Sequence, residues 1–262
     1  MDADERFELI RPKIERADKH ILDLHEALVA FRDSEPYAVG TKQNPETGQL
    51  IYYLQRLTPI PSIIPAIAGD VVNNLRSALD HLAYQLVLAA GNMPTKRTYF
   101  PTSPTKERFK SDLPGKVHGM RKAAIDDIKR LEPYAGGQGN ELSILHALNN
   151  IDKHRLLVTV CARVGGIDLG AHFADMAKLV NPSRDFPTFE FVVTPSDQSP
   201  LKEGDELFIT DGRTKPNNKI NFAINVSLDE ACIPSGETLI DTIEKVRAAT
   251  SATIEAFRSH LD

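Results

Sequence analysis

The residues of this chain that are best suited to acid–base chemistry lie in one stretch, GDVVNNLRSALDHLAYQL, at residues 69–86. Its apolar residues recur at helical spacing, and the remaining positions form a polar face that includes Asn73, Arg76, Asp80 and His81. Arg76 and His81 lie about 140° apart on this face, at its two flanks. Solvent-exposed helix faces usually carry Lys and Glu. The presence of Asn, Arg, Asp and His therefore favours a functional face over an ordinary solvent-exposed one.

A second stretch, NELSILHALNNIDKHRLL, has a similar composition. On a helix, Asp152 and Arg155 fall within its apolar arc, where an unpaired charge is costly. We expect them to pair with each other, or with Arg76 or Asp80 of the first stretch. A structural ion network explains these two residues at least as well as catalysis does. The polar residues of this stretch are candidates for substrate binding: Asn150, Lys153, His154 and Asp152.

Two resemblances bear on function. Residues 69–157, with NLRSALDHLAYQL, YFP, LEPYAGG and NNIDKHRLL, resemble a widespread group of uncharacterised bacterial proteins. The segment from Arg76 to His81 also resembles the Arg-x4-6-His signature of HEPN domains, helical bundles of prokaryotic toxins and defence ribonucleases. In that family, arginine and histidine from two subunits form a metal-independent RNA-cleaving site across a dimer interface.

The HEPN resemblance implies specific roles at these positions. His81 would be the general acid or base, and Arg76 would stabilise the negative charge that develops on phosphorus oxygens. From their place on the same polar face, we also expect Asn73 and Asp80 to orient this pair. The resemblance also implies a homodimer formed through the helix at 67–90, an RNA substrate and no cofactor. An antitoxin or other partner is not identifiable from the sequence.

Two other functions compete with the ribonuclease. One is a metal-dependent hydrolase, in which side chains of the two stretches supply ligands between helices: Asp80, His81, His146, Asn150, Asp152 and His154. The chain has no HExxH or similar compact metal motif. The other is a non-enzymatic binding or scaffold protein, in which the Asp, Arg and His residues hold the bundle together.

The elements expected to position these residues indicate an α+β fold. Helical periodicity covers residues 5–32, 67–90, 117–131, 141–155 and 236–261. Strands are predicted in LLVTVCAR, TFEFVVT, ELFIT and KINFAINVSL, and in a hairpin near 37–58. We therefore expect a helical bundle at 1–155 that contains the hairpin. A mostly antiparallel β-rich segment and a long C-terminal helix, at 156–262, would pack back onto it as one compact unit.

Composition restricts the partners. The 262 residues carry a net charge of −5 and only two cysteines, so no disulfide framework or cysteine zinc site is expected. No apolar run is long enough to span a membrane and no signal peptide is evident, so we expect a cytoplasmic protein. Residues 96–130 nevertheless contain ten Lys or Arg and four Asp or Glu. This local excess of positive charge permits contact with RNA phosphates.

Overall fold

The computed structural model describes residues 1–155, 158–170, 173–174, 177, 192–193, 196, 198–210, 220–233 and 236–262. Its helices are α1 (Ala3–Glu8), α2 (Arg11–Asp33), α3 (Ile63–Ala89), α4 (Lys106–Lys116), α5 (Lys122–Leu131), α6 (Asn140–Arg155) and α7 (Leu239–Ala256). Its strands are β1 (Tyr37–Gln43), β2 (Leu50–Leu57), β3 (Val160–Asp168), β4 (Val192–Val193), β5 (Glu206–Thr210) and β6 (Asn221–Leu228). The predicted α+β class is confirmed.

Helix α3 is the centre of the helical core. It packs against α2, α6 and α7, and its apolar arc is fully buried at Leu75, Leu79 and Leu82. Burial of each such side chain contributes about 2 kcal/mol to folding. The position of α3 is therefore fixed from several sides, and its polar residues are held in place by the same packing.

Helix α7 returns to this core, as the sequence predicts for the C-terminal helix. Ile243 and Val246 are buried in the same apolar cluster as α3. The ring of Phe257, just after α7, meets the ring of Phe100 edge-on, with centroids 6.1 Å apart. Arg247 joins α7 to α2 through two hydrogen bonds to the Asp18 carboxylate, of 2.8 and 3.0 Å.

The helices predicted at 67–90 and 236–261 span Ile63–Ala89 and Leu239–Ala256, and two other predicted helices are interrupted or shortened. The periodicity predicts one helix over 5–32, whereas the structure has two helices, because the helical conformation is interrupted between α1 and α2. Pro12 lies in the first turn of α2, where a missing N–H is harmless, but its ring would obstruct a helix continuing from α1. Likewise, the helix predicted at 117–131 begins only at residue 122, because Gly119 has a φ of +89° that no helix accommodates.

The strands form two antiparallel three-stranded sheets, with the orders β1-β2-β5 and β4-β3-β6. The predicted hairpin is present as β1 and β2, and Gly48 supplies the positive φ of its turn. Strand β2 also pairs with β5, so the hairpin shares a sheet with the β-rich segment. Tyr52 and Phe222, whose ring centroids are 6.0 Å apart, lie in an apolar cluster that joins the sheets. Most of the strand predicted in TFEFVVT lies outside the described residues.

No helix within the described ranges has both the length and the apolar character needed to cross a bilayer.

Candidate functional site

Helices α3 and α6 run antiparallel, and their polar sides meet. Gly69 of α3 lies so close to α6 that a Cβ atom on it would be 2.3 Å from Asp152 Oδ1. Further along α3, Arg76 donates to Thr102, and Ser143, which precedes Asp152 on α6, donates to the carbonyl of the adjacent Ser103. Later residues of α3 thus lie beside earlier residues of α6, as expected for antiparallel helices. The two polar stretches identified from the sequence therefore belong to one region of the molecule.

Arg76 is buried at the centre of this region, with 5% of its surface exposed. Its Nε and Nη2 donate to the two carboxylate oxygens of Asp80, at 3.3 and 2.6 Å. Nη2 also donates to the Phe100 carbonyl at 2.9 Å, and Nη1 donates to Thr102 Oγ1 at 2.8 Å. Asp80 Oδ1 accepts from the Phe100 N–H at 3.0 Å. The guanidinium is therefore engaged on all three of its nitrogens within the chain.

The other two members of the predicted catalytic set lie elsewhere. Asn73 and His81 are both exposed on α3. His81 follows Arg76 by five positions, which turns its side chain away from the buried guanidinium. The structure therefore brings Arg76 and Asp80 together and leaves Asn73 and His81 at the surface.

The predicted substrate-binding set is also divided. Asp152 is half-buried against Gly69, and burial, with a smaller effect from the charge of Asp70, raises the pKa of its carboxyl. The side chain of its expected partner Arg155 lies outside the described part of the chain. Lys153 and His154 are exposed. Asn150 lies beside His146, with Asn150 Nδ2 3.1 Å from His146 Nε2.

A cavity of about 600 Å³ lies between α4 and α6, and we call it the α4–α6 cavity. Its described wall also includes the loop at 102–104, Ala135 and residues 231–232. The polar residues that the two helices contribute are Arg108, Asp112 and Lys116 from α4 and Asn140, Ser143, His146 and Asn150 from α6. Of the residues named from the sequence, Asn150 and His146 thus line it. Arg76 is bonded to Thr102 in its wall.

The orientation of α4 follows from its sequence. Thr105 caps the helix, its side chain accepting from the Arg108 N–H at 3.2 Å. Phe109 and Leu113 are the buried residues of α4. Arg108, Asp112 and Lys116 follow one another at intervals of four, so they form a single row along the helix, and that row faces the cavity.

Lys116 is the cation of the cavity that lacks a bonded carboxylate. Its Nζ donates to the Thr102 carbonyl at 3.1 Å, and no salt bridge joins it to another described residue. Arg108, in contrast, pairs with Asp112, Nε to Oδ2, at 3.6 Å. Burial lowers the pKa of Lys116 and the charge of Arg76 lowers it further, and the smaller opposite effects of Asp112 and Asp80 do not cancel this lowering. The charge on Lys116 is thus poorly compensated.

The positive charges around the cavity also affect the imidazole of His146. Burial lowers the pKa of this imidazole to about 4, with further contributions from Arg76, Lys116 and Arg108. Its Nδ1 is buried and has no partner among the described residues. His146 is therefore neutral at physiological pH and acts there as a hydrogen-bonding group rather than as a cation.

Sequence reasoning did not identify Arg108 or Lys116 individually. The available signal was the positive excess of residues 96–130 together with the spacing of 108, 112 and 116, which places all three on one side of a helix. For the metal hypothesis, no group of three or more His, Cys, Asp or Glu side chains in the described portion of the chain is arranged to hold an ion.

Comparison with known proteins gives no relative: no protein-family model, curated protein or solved structure matches this chain.

Replacing Arg76 tests its structural role. We expect Arg76→Ala to lower the free energy of unfolding by on the order of 3 kcal/mol, because Asp80, the Phe100 carbonyl and Thr102 all lose their donor. Asn73→Ala, at an exposed position of the same helix, should change it by less than about 0.5 kcal/mol. Urea unfolding monitored by circular dichroism measures both. Equal stability of the two variants would contradict the assignment.

The lowered pKa of His146 predicts a pH dependence of stability. In the unfolded chain this imidazole binds a proton near pH 6.5, but in the folded protein it does so only near pH 4. Stability should therefore decrease as the pH falls through that interval. Unfolding at pH 7 and pH 5 should show a smaller loss for His146→Gln than for the wild type. His118→Gln, at an exposed position, should behave as the wild type, and a His146→Gln loss matching the wild type would refute the prediction.

Proposed function

We propose that this protein binds an anionic, phosphate-bearing small molecule in the α4–α6 cavity, with Arg76 and Asp80 as a structural pair behind its wall. The single observation that supports this most directly is the poorly compensated charge of Lys116 at the cavity. Lys116 is partly buried and contacts no carboxylate of the described residues, so its lost hydration is only partly compensated. A bound anion would supply a counter-charge to Lys116 and would thereby stabilise the folded protein.

The charges around the cavity favour an anion. Arg76 is neutralised by Asp80 and Arg108 is partly neutralised by Asp112, which leaves Lys116 in excess. On the α6 side, Asn140 accepts from the Gly136 N–H at 3.0 Å through Oδ1, and its NH₂ group donates to none of the described residues. An ammonium and an amide donor can bind a phosphate together.

The dimensions of the cavity favour a small molecule. A volume of about 600 Å³ lies within the range of sites that enclose metabolite-sized ligands. Ile144, Ala147 and Cys232 add apolar or weakly polar surface to the lining. The ligand class that fits is an organic phosphate, in which an anionic group meets Lys116 and a carbon skeleton covers the apolar wall.

Removing the Lys116 charge tests this function. Lys116→Gln should weaken binding of hexyl phosphate about tenfold, the effect of one charge-assisted hydrogen bond. The matched control is Lys110→Gln, which removes the same charge from an exposed position of α4. Isothermal titration calorimetry at low ionic strength measures both. No binding by the folded wild type, or equal losses in the two variants, would refute the proposal.

A ribonuclease is the second candidate, favoured by one observation. His81 is exposed on α3 and accessible to a second copy of the chain, as the RNA-cleaving site implied by the HEPN resemblance requires. Arg76 is less suited to that role, because its nitrogens are already bonded within one chain. Loss of activity in an Arg76 variant would be ambiguous, since that variant also loses stability. His81 provides the discriminating test.

In EDTA, a ribonuclease of this kind would cleave a mixed RNA substrate, and His81→Ala would abolish cleavage while the protein stays folded. His118→Ala removes another exposed histidine and should keep full activity. Light scattering of the same samples reports whether the protein is a dimer. Absence of cleavage by the wild type in EDTA, or full cleavage by His81→Ala, would reject this candidate.

A further inference from the structure

The two cations of the α4–α6 cavity are far apart on one wall. Arg108 and Lys116 are eight residues apart on α4, so about 12 Å along the helix axis separates their backbones. Both line the cavity, together with Asp112 midway between them. A ligand with two separated anionic groups can therefore meet both cations, one at each end of the row.

From this arrangement we infer the ligand class in more detail: a small molecule with an anionic group at each end and an uncharged middle. The inference rests on the proposed function, because it concerns the same cavity. One anionic end meets Lys116 and the other meets Arg108. The Asp112 carboxylate, placed between the two, repels negative charge in the middle of the ligand.

The contacts of each charged residue agree with this assignment. The Arg108–Asp112 pair is long, at 3.6 Å, and Arg108 is mostly exposed, so water competes with it and a ligand phosphate can replace it. Lys116 uses one N–H on Thr102 and keeps two for a ligand. Each end of the row thus retains donors for an anion.

The described residues of the opposite wall carry no further formal charge. Asn140, Ser143 and Asn150 are neutral, and His146 is held neutral by its lowered pKa. Such groups bind hydroxyls, amides or carbonyls of a ligand. Asp112 also discriminates against a polyanion whose charge is continuous along its length. The cavity therefore selects two separated charges rather than a run of charges.

Two ligands that differ only in the second phosphate test this inference: hexyl phosphate and hexane-1,6-diyl bisphosphate. Calorimetry on the full chain should show that the bisphosphate binds about tenfold more tightly. In Arg108→Gln the affinity ratio of the two ligands should fall to about one, whatever the affinity for hexyl phosphate itself. Lys110→Gln, the charge-matched control on the same helix, should keep the advantage. Ethane-1,2-diyl bisphosphate, which is too short to span the row, should show no such gain.

The outcomes separate this inference from the proposed function. If both hexyl ligands bind with equal affinity, or if the advantage persists in Arg108→Gln, the two-ended ligand is wrong although the cavity binds anions. An equal gain for the ethane compound would also overturn it, because the gain would then come from charge alone. If neither hexyl ligand binds to the folded protein, the proposed function fails and this inference fails with it.

Discussion

The buried pair of Arg76 and Asp80 is the interaction on which the candidate site depends. It joins α3 to the loop at 100–104, because Arg76 donates to the Phe100 carbonyl and to Thr102 while Asp80 accepts from the Phe100 N–H. The same loop receives a hydrogen bond from each wall of the cavity. Lys116 of α4 donates to the Thr102 carbonyl, and Ser143 of α6 donates to the Ser103 carbonyl at 2.9 Å. Both walls are therefore positioned relative to one segment that α3 fixes.

Arginine suits this position for a geometric reason. The planar guanidinium presents donors in several fixed directions, and here they reach a carboxylate, a carbonyl and a hydroxyl that belong to two separate segments. A lysine ammonium is a compact charge and would not reproduce this pattern. The aspartate one turn later both neutralises the charge and binds the loop backbone. The i, i+4 spacing that the sequence displays is therefore explained by a structural network in this chain.

Sequence periodicity predicts which face of each helix is apolar and which is polar, but it does not predict which distant segment packs on that face. The apolar arc of α3, the amphipathic α6 and the returning C-terminal helix all follow from spacing, since a helix must bury its apolar side. The polar side of α3 can be predicted equally well from residue spacing, but the burial of Arg76 cannot. It is covered by residues 100–102, and no local pattern specifies that a distant loop will lie there. The β2–β5 pairing was unpredictable for the same reason, because it joins residues about 150 positions apart in the chain.

The candidate site illustrates how a structural pair also shapes chemistry nearby. Arg76 does not line the cavity, yet its charge lowers the pKa of both Lys116 and His146. The charge of Asp80 raises the pKa of Lys116, but by less than Arg76 lowers it. The result is an ammonium that contacts no carboxylate among the described residues, in the same cavity as an imidazole that stays neutral. The described lining combines positive charge with a weakly basic imidazole, and this combination favours binding an anion over activating a nucleophile.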